Sequence, residues 1–119
     1  MTRNHERLEA FQVADHLVLT VYRATSRFPR EERFGLTSQL RRAAVSISTN
    51  IVEGSARRTR RDYAHFLNLA QASAAETRYL IDLAHRLGFL TDDFEECRNC
   101  ALSTVRLLHK LQQAVDALP

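Results

Sequence analysis

Apolar residues recur along this chain at spacings of three and four in four successive stretches. That is the period of an α-helix with one buried face. The first stretch, about residues 8–27, places Phe11, Ala14, Val18, Val21, Tyr22 and Thr25 on one side, and Val13, Leu17 and Leu19 widen it. Phe28-Pro29 ends it, because the residue before a proline is pushed out of the α region. The second, about 35–53, begins near Phe34 to Leu36 and carries Leu36, Leu40, Ala43, Ile47 and Ile51. Gly54 fits the left-handed position beyond its end. The third, about 60–87, follows Thr59, which with Asp62 makes an N-terminal capping arrangement, and Gly88 stops it. Its inner face runs from Tyr63, Phe66 and Leu67 through Ala70, Ala74 and Thr77 to Leu80, Ile81, Ala84 and Leu87. Thr91 is expected to cap the fourth, about 92–117, with Asp92, Asp93, Glu95 and Glu96 at its positive end. Ala101, Val105, Leu108, Leu111 and Val115 form its inner face.

No stretch alternates as a strand would, and three Gly and two Pro leave few breaks. The prediction is an all-α fold, an antiparallel up-down-up-down four-helix bundle, formed by a single domain over residues 1–119. With 45% apolar and 26% charged residues the composition is that of an ordinary globular chain. The N-terminal sequence lacks the apolar centre of a signal peptide and no run reaches membrane-spanning length, so a cytoplasmic protein without membrane contact is expected.

The second helix carries a further pattern. Gln39, Arg42, Ser46, Asn50 and Glu53 recur at three, four, four and three, roughly a quarter-turn from the apolar stripe. A solvated flank is one reading. The other is a polar cluster bonded to a neighbouring helix or subunit, since partly buried polar groups require partners. Ser46, Ser48, Thr49 and Asn50 are mediocre helix formers, which favours the second reading. If the hairpin reverses near Arg57, antiparallel residues level with each other have numbers summing to roughly 115. Gln39 and Arg42 then face Ser73 and Glu76, and a partly buried Arg42–Glu76 ion pair with Ser46 beside Ser73 is predicted.

Charge is uneven along the chain. Between Tyr22 and Arg61, ten Arg face Glu31, Glu32 and Glu53, a local +7, while seven basic and eleven acidic residues leave the remainder at −4. Sixteen of the seventeen basic residues are Arg, whose planar fork suits carboxylate and phosphate. Arg57, Arg58, Arg60 and Arg61 surround the connection between the second and third helices, with Arg41 and Arg42 a few turns back. They read either as a solvated helix end or as a patch for RNA or DNA backbones. No aromatic is interleaved with these Arg residues, which argues against base stacking and sequence readout.

Other chemistry is weakly supported. Cys97-Arg98-Asn99-Cys100 lacks the further ligands of a structural zinc site and the βαβ setting of a redox motif, and its cysteines read as inert helix residues. The histidines, at 5, 16, 65, 85 and 109, are scattered, and His65 near Asp62 has no nucleophile close by. No catalytic residue, metal ligand or cofactor motif is assigned, and no enzyme activity is expected.

The run "RRAAVSISTNIVEG", with Phe28-Pro29, Glu32, Leu36 and Gln39 before it and Phe66, Ala70, Ser73 and Glu76 after it, resembles the bacterial 23S rRNA intervening-sequence protein family over nearly the whole chain. The resemblance implies an antiparallel four-helix bundle, often a homopentameric ring. It also points to a distant relative, the accessory variability determinant of diversity-generating retroelements, which binds nucleic acid and a reverse transcriptase. The apolar surface of the first helix, wider than one stripe, separately suggests burial between subunits. A non-enzymatic oligomer that engages RNA or DNA backbones is the leading expectation. The alternative is an oligomeric scaffold for a protein partner, such as a nucleic-acid enzyme, with no direct nucleic-acid binding.

Overall fold

Helix-period patterning becomes four helices in the computed structural model, which describes residues 4–119. They are α1 Glu9–Thr25, α2 Leu36–Ser55, α3 Arg60–Arg86 and α4 Phe94–Asp116, with short 3-10 turns at His5–Arg7 and Arg30–Glu32. No strand occurs among the described residues. The helix ends follow local chemistry. Glu32 Oε1 accepts the Leu36 N–H at 3.0 Å, placing a carboxylate on the positive end of α2. Thr59 Oγ1 accepts the Asp62 N–H at 3.1 Å and starts α3. Gly88, at φ +79°, turns the chain out of α3, and its N–H donates to His85 O at 3.0 Å. His85 then stacks on Phe94 with ring centroids 3.6 Å apart, holding the start of α4 against the end of α3.

Two expected helix signals act differently. Thr91 does not cap α4: Asp93 holds the N-cap position without a side-chain bond, and Thr91 contributes its carbonyl to the Phe94 N–H at 3.1 Å. Gly54 lies within α2 rather than beyond it, and its φ is not positive. A Cβ built there would sit 2.9 Å from Phe66 Cβ and 3.2 Å from Tyr63 Cδ1. Glycine is needed here for the close approach of α3, not for a left-handed turn.

Each helix packs on two others. α1 meets α2 and α4, and α3 meets α2 and α4, while the diagonal pairs α1–α3 and α2–α4 stay apart. Along each neighbouring pair the residue numbers rise on one helix as they fall on the other, as in antiparallel packing: Arg42 with Glu76 and then Ser46 with Ser73, Val13 with Cys100 and then Arg27 with Asp93. The result is a rod of 48 × 23 × 19 Å, most of its length set by the 27-residue α3, which spans about 40 Å at ~1.5 Å per residue.

The core is filled by Leu17, Leu40, Ile47, Ile51, Tyr63, Leu67, Ile81 and Leu108, all essentially without exposure. Each contributes about 1.5–3 kcal/mol by leaving water. The five-residue stripe of α2 is wholly buried. On α1 the buried face is rotated from the expected one. Ala10, Ala14, Leu17, Val21 and Ala24 face inward, while Val18 is half-buried and Leu19 and Tyr22 are exposed. Small alanines let α1 sit close to its neighbours, so this face wins over the bulkier Phe11–Val18–Tyr22 side. At the ends, Leu87 is exposed and Phe66 only half-buried. Buried hydroxyls bond back along their own helices, Thr77 to Ser73 O at 2.8 Å and Thr104 to Cys100 O at 2.8 Å.

Both cysteines are free thiols on α4. Cys97 is buried, and Cys100 Sγ points at Val13 O, 3.6 Å away on α1. Burial pushes the Cys97 thiol up to about 12, with Asp93 and Glu96 adding to the effect, and the Cys100 thiol up to about 11. Thiols held protonated in this way are poor nucleophiles.

Two outcomes follow from this packing. Ala at position 54 would normally favour a helix by about 1 kcal/mol, but here it forces α2 from α3. Gly54→Ala is therefore expected to destabilise by about 1–3 kcal/mol in chemical denaturation, and Gly54→Val by more. A variant as stable as the parent would show that the seam is loose. For the thiols, a disulfide reagent at pH 8 should label the native protein far more slowly than the denatured chain, with Cys97 slower than Cys100. Equal native and denatured rates would contradict the burial described.

Candidate functional site

Chemistry-bearing residues gather in three places. The first is the α2–α3 seam. Arg42 Nη2 lies 3.0 Å from Glu76 Oε2, and Ser46 Oγ lies 2.9 Å from Ser73 Oγ. Asn50 Nδ2 donates to Ser46 O at 2.8 Å and reaches Ser46 Oγ at 3.2 Å. Gln39 and Glu53 stand outside this group, exposed and without a side-chain bond among the described residues. The ion pair is more open than the sequence suggested, with side-chain exposures of 63% and 40% for Arg42 and Glu76. An ion pair this solvated contributes about 0–1 kcal/mol, so it orients the two helices more than it stabilises them.

The second place is the connection from α2 to α3. Arg57, Arg58, Arg60 and Arg61 are all exposed there. The Arg57 guanidinium sits 4.6 Å from the centre of the Phe66 ring on α3, so one aromatic does contact this turn. The side chains of Arg58, Arg60 and Arg61 have no hydrogen bond or ion pair among the described residues. They stand beside the positive end of α3 and are not neutralised by a carboxylate.

Arg41 does not belong to that group. It lies near the start of α2, about 24 Å along the helix from Arg57. Its Nε donates to Thr25 Oγ1 at 2.7 Å, its Nη2 reaches Tyr22 O at 3.3 Å, and its guanidinium lies 4.5 Å from the Tyr22 ring centre. It straps the end of α1 to α2. The Arg-rich segment is thus divided between opposite ends of the rod, with Arg27, Arg30 and Arg33 at the α1–α2 connection. Arg27 there pairs with Asp93 at 3.1 Å.

The third place was not anticipated from the sequence. Phe34, expected at the start of the second helix, sits in the connection before it and is 87% exposed. Together with Tyr22, Arg33 and Arg41 it lines a cleft of about 390 Å³. Its sequence signal is the failure of Phe34 to match the period that Leu36 begins.

The histidines remain dispersed. His16 Nε2 is 3.9 Å from Glu96 Oε1, and His65 packs edge-on to Phe66. Among the described residues no three His, Cys, Asp or Glu side chains cluster in a way that could hold a metal ion. Among the described residues no helix is long and apolar enough to cross a membrane.

Comparison with known proteins agrees with this architecture. A solved structure from Bacteroides thetaiotaomicron, described as a protein with unknown function from the S23 ribosomal protein family, superposes with a TM-score of 0.77. It is 23% identical, and the match covers 87% of this chain and 97% of that one. At that identity it shows the fold alone. No curated protein matches. The family model described as 23S rRNA-intervening sequence protein matches residues 6–110. With a matched span that takes in all of α1, α2 and α3 and most of α4, the chain belongs to the 23S rRNA-intervening sequence protein family.

Proposed function

We propose that this protein is a non-enzymatic, oligomeric binding protein that engages the phosphate backbone of RNA or DNA. The observation that carries the reading is the group of four exposed Arg side chains at one tight connection, three of them without a partner among the described residues. Guanidiniums left unpaired beside a helix N-terminus match phosphate oxygens in charge and geometry. The family's description refers to an intervening sequence of 23S rRNA and the solved relative's to a ribosomal protein family, which is compatible with a nucleic-acid setting. Phosphate contacts set register and affinity without reading sequence, so binding is expected to be general.

Oligomerisation belongs to the same reading, as a homopentamer on the family resemblance. Exposed Leu19 on α1, with Tyr79 and Leu87 on and beyond α3, supports it because the free chain leaves these large side chains in water. Repetition in a ring would turn a four-Arg patch into an extended basic surface.

Replacing Arg57, Arg58, Arg60 and Arg61 together by Gln tests the first part. Binding to unrelated RNA and DNA sequences should weaken to a similar extent. The slope of log affinity against log salt should fall by roughly one unit for each phosphate that is no longer neutralised. Helix content and melting should barely change, since exposed substitutions cost about 0.5 kcal/mol or less. Parent protein that binds neither RNA nor DNA at low salt would remove the reading and favour a scaffold for a protein partner. For assembly, light scattering at micromolar concentration should give a mass several times that of one chain; a monomeric mass would exclude the oligomer.

A further inference from the structure

The cleft at the α1–α2 end sets a largely exposed aromatic ring among arginines, whereas Phe66, the ring beside Arg57 at the basic turn, is half-buried. Phe34 is 87% exposed on a connection otherwise anchored by the 3-10 turn and by the Glu32 bond to the Leu36 N–H. Turning a Phe ring outward forgoes the burial that stabilises every other Phe of this chain that packs inward. The Arg33 guanidinium lies 5.2 Å from the Phe34 ring centre, and Tyr22, 43% exposed, is covered by Arg41 at 4.5 Å. Arg41 is fixed by Thr25 Oγ1 and Tyr22 O, so its guanidinium plane is held in place before any ligand arrives. Arg42 and the exposed Ser38 complete the rim, and no carboxylate lines the cleft. Glu32 nearby is engaged as the cap of α2, and Glu76 is paired with Arg42.

Cations interleaved with accessible aromatic faces form the surface that binds single-stranded nucleic acid. Arg neutralises the backbone while unstacked bases lie on rings and guanidinium planes, and a duplex, with its bases already stacked, gains nothing from the rings. The geometry points to this cleft as a stacking site for an unpaired base of a single strand, with Phe34 as the platform and Arg33 and Arg41 beside it. The cleft's volume of about 390 Å³ suits one base with its sugar rather than a helix or a protein segment. The inference rests on the nucleic-acid reading above but adds a preference that the basic turn, whose one aromatic contact is the half-buried Phe66 beside Arg57, would not produce.

The chain has no Trp, so Phe34→Trp introduces a single indole at the platform. Short homopolymers of dT and of U, about a dozen nucleotides long, and a duplex of similar length are the probes. Their binding is measured by anisotropy with the parent, Phe34→Ala, Phe34→Trp and the four-Arg turn variant. Phe34→Ala should weaken single-strand binding by about 5- to 100-fold and leave the duplex unchanged. Phe34→Trp should retain binding, and its fluorescence should be quenched on adding single strands. The turn variant should weaken single strand and duplex alike. A stronger response to U than to dT would assign the cleft to RNA, and the reverse to DNA. Unchanged single-strand affinity in Phe34→Ala, or an unquenched indole, overturns the stacking site while duplex binding by the parent keeps the backbone reading. Loss of the parent's oligomeric mass in Phe34→Ala would overturn it too, by assigning the ring to an interface between copies. A parent that binds no probe overturns both.

Discussion

The close approach of α2 and α3 governs much of the rest. At Gly54 the two helices come so near that an added methyl group would collide with Phe66 and Tyr63. Farther along, Ser46 and Ser73 touch through their hydroxyls, and Ala43, Ala70 and Ala74 on the same two helices are buried. Small side chains along both helices set the separation, and the hydroxyl contact and the Arg42–Glu76 pair then fix the register. Polar groups that would weaken a lone helix become useful once a partner helix satisfies them.

The same constraint shapes the ends of the rod. Because α2 and α3 must pack tightly up to Gly54, the chain has little length in which to reverse, and residues 56–59 form a short exposed turn. Arginines concentrated there have no core to enter, and Arg58, Arg60 and Arg61 project without carboxylate partners among the described residues. At the other end the connection is longer, includes a 3-10 turn, and spreads its charged residues among structural tasks. Arg27 pairs with Asp93, Arg41 straps α1, and Glu32 caps α2. A single basic segment in the sequence becomes two surfaces of different character, one dominated by unpaired charge with its ring half-buried and one mixing charge with exposed aromatic rings.

The cysteines and histidines illustrate the opposite lesson, that suggestive spacing carries no chemistry without geometry. In Cys97-Arg98-Asn99-Cys100 one thiol is buried and the other faces a carbonyl of α1, and both are driven toward the protonated state by burial. Cys100 lies at the α1–α4 contact and Cys97 in the core, both as small apolar groups. His85 serves the α3–α4 turn by stacking on Phe94 and reaching Leu90 O.

The sequence by itself determined the helices and most of the core. Periodicity depends on residues three and four apart, and caps such as Thr59 and stops such as Gly88 act over a single turn, so these signals are local and readable. The α2 stripe is buried throughout for that reason. Tertiary structure alone decided which side of α1 faces inward, because its apolar surface is wide and the choice rests on how closely Ala10, Ala14 and Ala24 let its neighbours approach. It also decided that Gly54 serves a close contact rather than a turn, since the clash that requires it comes from Phe66 and Tyr63 on another helix. Arg41 tied to α1 and Phe34 left in water are outcomes of the same kind. Each depends on distances between residues far apart in sequence, and a one-dimensional pattern does not contain those distances.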